Sequence, residues 1–195
     1  MKKVVLILGI LYLMGACNEI KSKEEPLNEV KDIAMIKEPS ISVERGKYLV
    51  NTIGCTDCHT PKMMTENGPE PNPELFLSGH PATEQLPPLD PSKVQGYVAF
   101  NMGLTAAVGP WGTSYSANLT PDETGIGNWT EEQFLIAIKE GKYKGMVNGR
   151  PMLPPMPWQQ YKMLTDDDLK SMFKYLETIK PIDNVVPSPV PPAGN

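Results

Sequence analysis

Cys55-Thr56-Asp57-Cys58-His59 is the run on which the reading of this 195-residue chain turns. Two thiols three positions apart, with an imidazole directly behind them, form the attachment sequence of a c-type haem. The thiols add across the two vinyl groups at one edge of the porphyrin, and about one helical turn of backbone separates them suitably. His59 then falls beneath the ring, where imidazole is an ordinary proximal ligand to iron. Two other chemistries use a Cys-x-x-Cys pair. A dithiol oxidoreductase sets it at a strand-to-helix junction, and no strand pattern precedes Cys55. A zinc site needs further thiols or imidazoles, and the chain offers only Cys17 and His80 besides. The run predicts one covalent haem c on Cys55 and Cys58, with His59 on the iron. Dithiol and zinc chemistry are the alternatives.

Thioether attachment of haem takes place outside the bacterial cytoplasm, so an export signal is expected. Lys2 and Lys3 precede an apolar stretch, Val4 to Leu13, far too short to span a bilayer. Leu13-Met14-Gly15-Ala16-Cys17 then resembles a bacterial lipoprotein cleavage box, with Leu13 one place early and Met14 where the apolar residue usually stands. On this reading residues 1–16 are a signal peptide and Cys17 carries lipid. Each acyl methylene contributes roughly 0.8 kcal/mol, so several chains together hold the protein to a membrane. Residues 17–41, rich in Lys, Glu, Asn and Pro, make a polar tether. The expected place is the bacterial cell envelope, with the folded part facing the periplasm. Ordinary secretion with a free Cys17 is the alternative.

The chain has 18 basic and 23 acidic side chains, a formal charge of −5, and loss of the two leader lysines makes it −7. That balance argues against nucleic acid and anionic lipid, which need clustered positive charge.

Helix ends are legible. Ser42 to Ile53 reads as a helix running into the haem run, with Gly46 marking close packing against another element. Thr130 and Gln133 form a capping box, with Trp129 and Phe134 as its hydrophobic staple, and Gly141 suits the left-handed stop. Thr165 and Asp168 repeat the box. Leu169, Met172, Phe173 and Leu176 then fall on one apolar stripe. Thr120-Pro121-Asp122-Glu123 is expected to open a short helical turn. Thr60 to Gly112 is broken by Pro and Gly, and isolated short strands are the most it suggests. Residues 182–195 are expected to form a Pro-rich extended tail laid across the domain.

A helix, then Cys-x-x-Cys-His, then a terminal amphipathic helix resembles the small haem domains of class I cytochrome c. The likeness sharpens at Ser116-Ala117-Asn118-Leu119-Thr120-Pro121-Asp122 and at Thr124-Gly125-Ile126-Gly127-Asn128-Trp129-Thr130. These runs, with Pro155-Met156-Pro157-Trp158 and the Asp167-Asp168-Leu169 to Tyr175-Leu176 helix, resemble the haem modules of bacterial dehydrogenase-associated cytochrome c subunits. The resemblance covers about Val43 to Lys180 and implies a mainly α, class I cytochrome c-like haem domain over residues 42–181, with long Pro/Gly-rich ordered loops. Those subunits commonly carry three haem motifs, whereas this chain has one. The resemblance puts the second axial ligand at Met156, with Met152 and His80 as alternatives. Tyr115, Asn118 and Trp158 are further candidates for contact with the porphyrin or its propionates, although a core aromatic or a turn Asn explains each equally well. A carbonyl near Pro69, Pro71 or Pro73 is expected to accept the proximal imidazole N–H.

Histidine and thioether ligation leave no vacant site on the iron and favour one-electron exchange. The expected role is therefore an electron carrier, not an enzyme, with no small-molecule substrate. Its partners would be a dehydrogenase and a terminal oxidase or another cytochrome. A haem enzyme or gas-binding sensor with a displaceable distal ligand is the alternative, and a thiol–disulfide oxidoreductase the more distant one.

Overall fold

The structure, a computed structural model, describes residues 40–87, 89 and 94–192. The expected signal peptide, Cys17 and the tether as far as residue 39 lie outside the described residues. Among the described residues no helix is long and apolar enough to cross a membrane.

Among the described residues five helices frame the domain, and local caps set their ends. Ser42 opens α1 (Val43–Thr52) by accepting the amide of Arg45 at 3.1 Å. Gly54, at φ +93°, turns the chain into α2 (Cys55–His59). In α3 (Glu131–Glu140) both bonds of the Thr130–Gln133 box are made, and Gly141 closes the helix at φ +64°. A single turn, α4 (Trp158–Tyr161), precedes α5 (Asp166–Leu176), which Thr165 caps by accepting the Asp168 amide at 3.1 Å. The stripe on α5 buries Leu169, Met172 and Leu176 against Leu49 and Val50 of α1 and Phe134 and Ile138 of α3. Phe173 stacks on Phe134 with ring centroids 5.5 Å apart.

Helices α1 and α5 touch where Gly46 removes a side chain. A Cβ there would run into the Ser171 carbonyl and sit 2.8 Å from the Tyr175 Cβ. Tyr48, two residues on, is exposed and lies under the Arg45 guanidinium. Gly46→Ala is therefore expected to destabilise, by roughly 1–3 kcal/mol of overpacking, although Ala is the better helix former. A lowered melting temperature in the holoprotein is the readout, and an unchanged one would show that the crossing has room to give.

The same pair of helices is tied by an ion pair, Arg45 Nε to Asp168 Oδ1 at 2.7 Å, with Asp168 largely buried. The hydrogen bond from Arg45 is the main reason the Asp168 carboxyl is held below the usual carboxylate range. A depressed pKa contributes stability that is present above the unfolded value, about 3.9, and is lost as pH falls through the folded value. Asp168→Asn should flatten the acid limb of stability below about pH 4. Melting temperatures that track wild type down that limb would rule the pair out as its source.

Between α2 and α3 the chain holds more order than isolated strands. β1 (Lys62–Thr65) and β2 (Gly68–Pro71) pair antiparallel, Lys62 opposite Pro71 and Thr65 opposite Gly68. β3 (Ala99–Phe100), β4 (Ala106–Gly109) and β5 (Gly112–Tyr115) form a second antiparallel sheet in that order. Residues 120–123 form no helical turn. The Asp122 carboxylate instead accepts the Thr124 amide and hydroxyl at 2.9 and 2.6 Å, while its carbonyl accepts the amides of Gly125 and Gly127.

The tail is laid across the domain and belongs to the same compact unit. The Ile182 amide donates to Thr120 Oγ1, and Asn184 donates from its side chain to the carbonyls of Ser78 and His80. Val190 exchanges both backbone bonds with Thr113, at 2.8 and 3.0 Å.

Candidate functional site

These elements enclose a mostly apolar cavity of about 550 Å³, within the usual range for a small-molecule or cofactor site. Cys55, Cys58 and His59 line it from α2, and Met152 and Met156 line it from the loop before α4. That loop is held at three points. The Met152 amide donates to the Gly141 carbonyl at 2.7 Å, Ser114 Oγ donates to the Pro154 carbonyl at 2.6 Å, and the Trp158 amide donates to the Met156 carbonyl at 2.9 Å.

The cavity's polar groups fit a covalent porphyrin. Cys55 and Cys58 are free thiols facing one space, Cys55 buried and Cys58 half-buried. Burial pushes the Cys55 thiol up to about 12 and raises Cys58 as well. Thiolate is the species that attacks disulfides, so this setting suits a dithiol oxidoreductase poorly. Among the described residues there is also no cluster of three or more His, Cys, Asp or Glu that would hold zinc.

His59 Nδ1 lies 2.8 Å from the Ala117 carbonyl. A carbonyl only accepts, so the proton sits on Nδ1 and the Nε2 lone pair is left for a metal. Burial pushes this imidazole below its ordinary pKa, with the Ala117 bond opposing, and the neutral ligand form is favoured. The accepting carbonyl is thus not one near Pro69, Pro71 or Pro73. Those residues are taken up by the β1–β2 hairpin and the 3₁₀ turn after it, whereas Ala117 stands two residues past the end of β5.

His80 explains how that carbonyl is placed. It is fully buried, its amide donates to the Ser116 carbonyl at 2.9 Å, and its Nδ1 meets Thr105 Oγ1 at 2.9 Å. The Ser116 amide in turn donates to the Thr105 carbonyl. The His80 ring stacks on Tyr115, and the residue does not line the cavity. It is placed to support the chain behind His59, outside the cavity wall.

The residues expected at the porphyrin divide. Tyr115 and Asn118 line the cavity. The Asn118 amide is spent, however, accepting from Thr120 and donating to Thr124 and Ile182, so it locks the tail. Trp158 does not line the cavity. Its ring covers Gly141, where a Cβ would strike it, and the Lys162 ammonium sits 5.8 Å above the indole.

Three contributions were not expected from the sequence. Arg150 and Lys144 both line the cavity beside Tyr143, the Arg150 guanidinium 3.9 Å from its ring centroid. Two cations in an acidic chain suit the two carboxylates of a haem, and the signal was an arginine standing alone in a Gly-, Pro- and Met-rich run. Tyr161 lines the cavity and donates to the Ile53 carbonyl at 2.7 Å, and burial pushes its phenol up to about 12. The tail adds Val185, Val186, Pro187 and Pro189 to the wall.

The chain is similar in sequence to cytochrome subunits of bacterial dehydrogenases. The chain is 37% identical over 158 residues to the fructose dehydrogenase cytochrome subunit of Gluconobacter japonicus, covering 80% of this chain and 24% of that one. It is 31% identical over 134 residues to the gluconate 2-dehydrogenase cytochrome c subunit of Pantoea cypripedii, covering 68% and 22%. It is 30% identical over 142 residues to the alcohol dehydrogenase (quinone) cytochrome c subunit of Gluconobacter oxydans, covering 72% and 22%. The chain thus spans under a quarter of the length of each. Residues 43–180 match the cytochrome c family, a span that opens at the first residue of α1, takes in the thiol pair and both methionines, and closes just after α5. Covalent haem c is the cofactor such a domain implies, and the chain belongs to the cytochrome c family.

Proposed function

We propose that this chain is a single-haem electron carrier of the bacterial cell envelope, with His59 and Met156 as axial ligands. The observation that carries the reading is one cavity lined by both thiols, by an imidazole whose Nε2 is left free, and by the Met156 side chain. Bound haem c supplies a one-electron iron couple, and methionine ligation raises its potential relative to two imidazoles. Cys55 and Cys58 hold the ring covalently, His59 presents Nε2 to the iron, and Met156 presents its thioether. Arg150 and Lys144 receive the carboxylates. The surrounding apolar wall and the docked tail exclude water, which favours the less charged state of the centre.

The names of the relatives support a dehydrogenase as electron donor, and a terminal oxidase or another cytochrome would be the acceptor. Lipidation at Cys17 after removal of residues 1–16 would tether residues 42–181 to a membrane on the periplasmic side.

The test is a haem count and a redox titration of the protein purified from a haem-competent host. One haem per chain, a reversible one-electron titration and slow carbon monoxide binding at neutral pH are expected. Rapid carbon monoxide binding would favour a gas sensor or haem enzyme, and a chain without haem would sink the reading.

A further inference from the structure

The β1–β2 hairpin contributes no buried residue to the core. Both strands are half-buried or exposed throughout, with Met63 and Met64 turned to solvent. Its base is closed by the Asn72 amide, which donates to the Pro61 carbonyl at 2.8 Å. Hydrophobic burial therefore does not account for this element. What it carries is Lys62, the first residue of β1, whose side chain turns back onto α2.

Lys62 Nζ donates to the carbonyls of Thr60 at 2.6 Å, Asp57 at 2.8 Å and Thr56 at 3.4 Å. An ammonium has three donors and no acceptor, so its whole hydrogen-bonding capacity is spent on one short helix. That helix needs the help. Five residues are too few to hold a helix alone, and its last carbonyls have no partner within it. The Gly79 amide takes the His59 carbonyl at 2.8 Å. Lys62 takes those of Asp57 and Thr60, which stand on either side of Cys58 and His59. A cation at a helix C-terminus is also favoured by the aligned peptide dipoles.

The charge of Lys62 is not cancelled locally. Among the described residues its ammonium has no carboxylate within 4.0 Å, and the nearby Asp57 is exposed to solvent that screens it. Burial lowers the Lys62 pKa, with Asp57 and Cys58 opposing, and three carbonyls that only accept favour the charged form. Oxidation of a bound iron adds a positive charge to the site. A fixed cation beside the turn that carries both thiols and the imidazole makes that step less favourable.

We propose that Lys62 is a positioning residue that clamps the haem-bearing helix α2 and, as a fixed cation there, biases the iron toward its ferrous state. This rests on the electron-carrier reading. The hairpin is then the device that delivers the clamp, and the charge acts on the iron through space without touching it.

The test uses the full holoprotein, poised with mediators at the wild-type midpoint, where ferrous and ferric forms are equal. Lys62→Met keeps the length of the side chain and removes its charge and donors. The ferrous-to-ferric ratio should fall about threefold or more, and exchange of the Thr60 amide, the last bond of α2, should quicken. Lys62→Arg keeps the charge and should hold the ratio within about twofold of wild type. Lys62→Gln keeps a neutral donor, so it should slow Thr60 exchange relative to Lys62→Met while its ratio stays low. It also gives the reading should Lys62→Met fail to fold. Lys47→Met, the same charge loss at an exposed position on α1, should leave the ratio near wild type. An unmoved ratio or an unmoved Thr60 exchange rate in Lys62→Met overturns the proposal. So does a ratio restored by Lys62→Gln, lost equally in Lys62→Arg, or lowered as far by Lys47→Met. Each of these outcomes leaves the carrier reading standing, whereas loss of the reversible titration in wild type removes that reading itself.

Discussion

Cys55→Ala combined with Cys58→Ala is expected to abolish haem staining on a denaturing gel. Both side chains face the cavity, and both are free thiols, so no other pair of cysteines among the described residues can take their place. The consequence should reach the fold. A mostly apolar cavity of about 550 Å³ is walled by α1, α3, α5, β4, β5 and the tail, and the wall residues lose their partner atoms when nothing fills it. A ligand that binds only the folded chain stabilises it, and a covalent one does so without dilution. The double variant is expected to melt far below the holoprotein, with near-native helical signal and weakened side-chain order. Each single variant should retain one thioether and stain more weakly. Haem staining that survives the double substitution would show that the porphyrin is held by some other bond. Absence of staining in the wild type would remove the haem reading altogether.

The parts of this domain that were legible in the sequence are those written in side chains close together along the chain. The Thr130–Gln133 box, the Thr165 cap and the Gly141 stop each need one or two residues at fixed offsets, and all three ends fall where those residues stand. Gly46 was legible as close packing because a helical glycine has few other uses, and the Ser171 carbonyl is what it admits. The strands were not, because two to four residues are too few to show alternation. Their pairing is set by turns at Gly68 and Gly112, both at positive φ. The partner of His59 was illegible for a different reason. A backbone carbonyl has no residue identity, so nothing in Ala117 marks it, and its placement depends on His80 and Thr105 from distant parts of the chain. Trp158 misled because an aromatic beside Met156 in sequence is turned by α4 onto Gly141 in space. Arg150 and the tail are long-range too, and only the fold brings them to one wall.

Met156→Ala is expected to remove the ferric methionine–iron charge-transfer band, lower the midpoint potential and admit carbon monoxide to the reduced protein, while Met152→Ala leaves all three near wild type. Both side chains line the cavity, so the distinction rests on how each is held. Met156 packs against the buried core around Leu49, Phe134 and Met172. Prolines on both sides restrict its backbone, and hydrogen bonds at Pro154 and Trp158 fix the loop around it. Met152 is anchored at its amide to Gly141 and stands outside that core cluster. A thioether is a weak, neutral ligand, so it stays on iron only where the chain restricts its alternatives, and Met156 is the more restricted of the two. Truncating it would open the sixth position and also remove packing from a partly buried side chain, at less than the roughly 2–5 kcal/mol of a fully buried methionine. The melting temperature should therefore fall together with the potential. Met156→His separates the two effects, because an imidazole refills the space and a second nitrogen ligand lowers the potential relative to methionine. A variant that regains thermal stability while its potential stays low would mark Met156 as the ligand. If instead Met152→Ala removes the band and Met156→Ala only lowers stability, the sixth ligand is Met152 and Met156 is part of the wall.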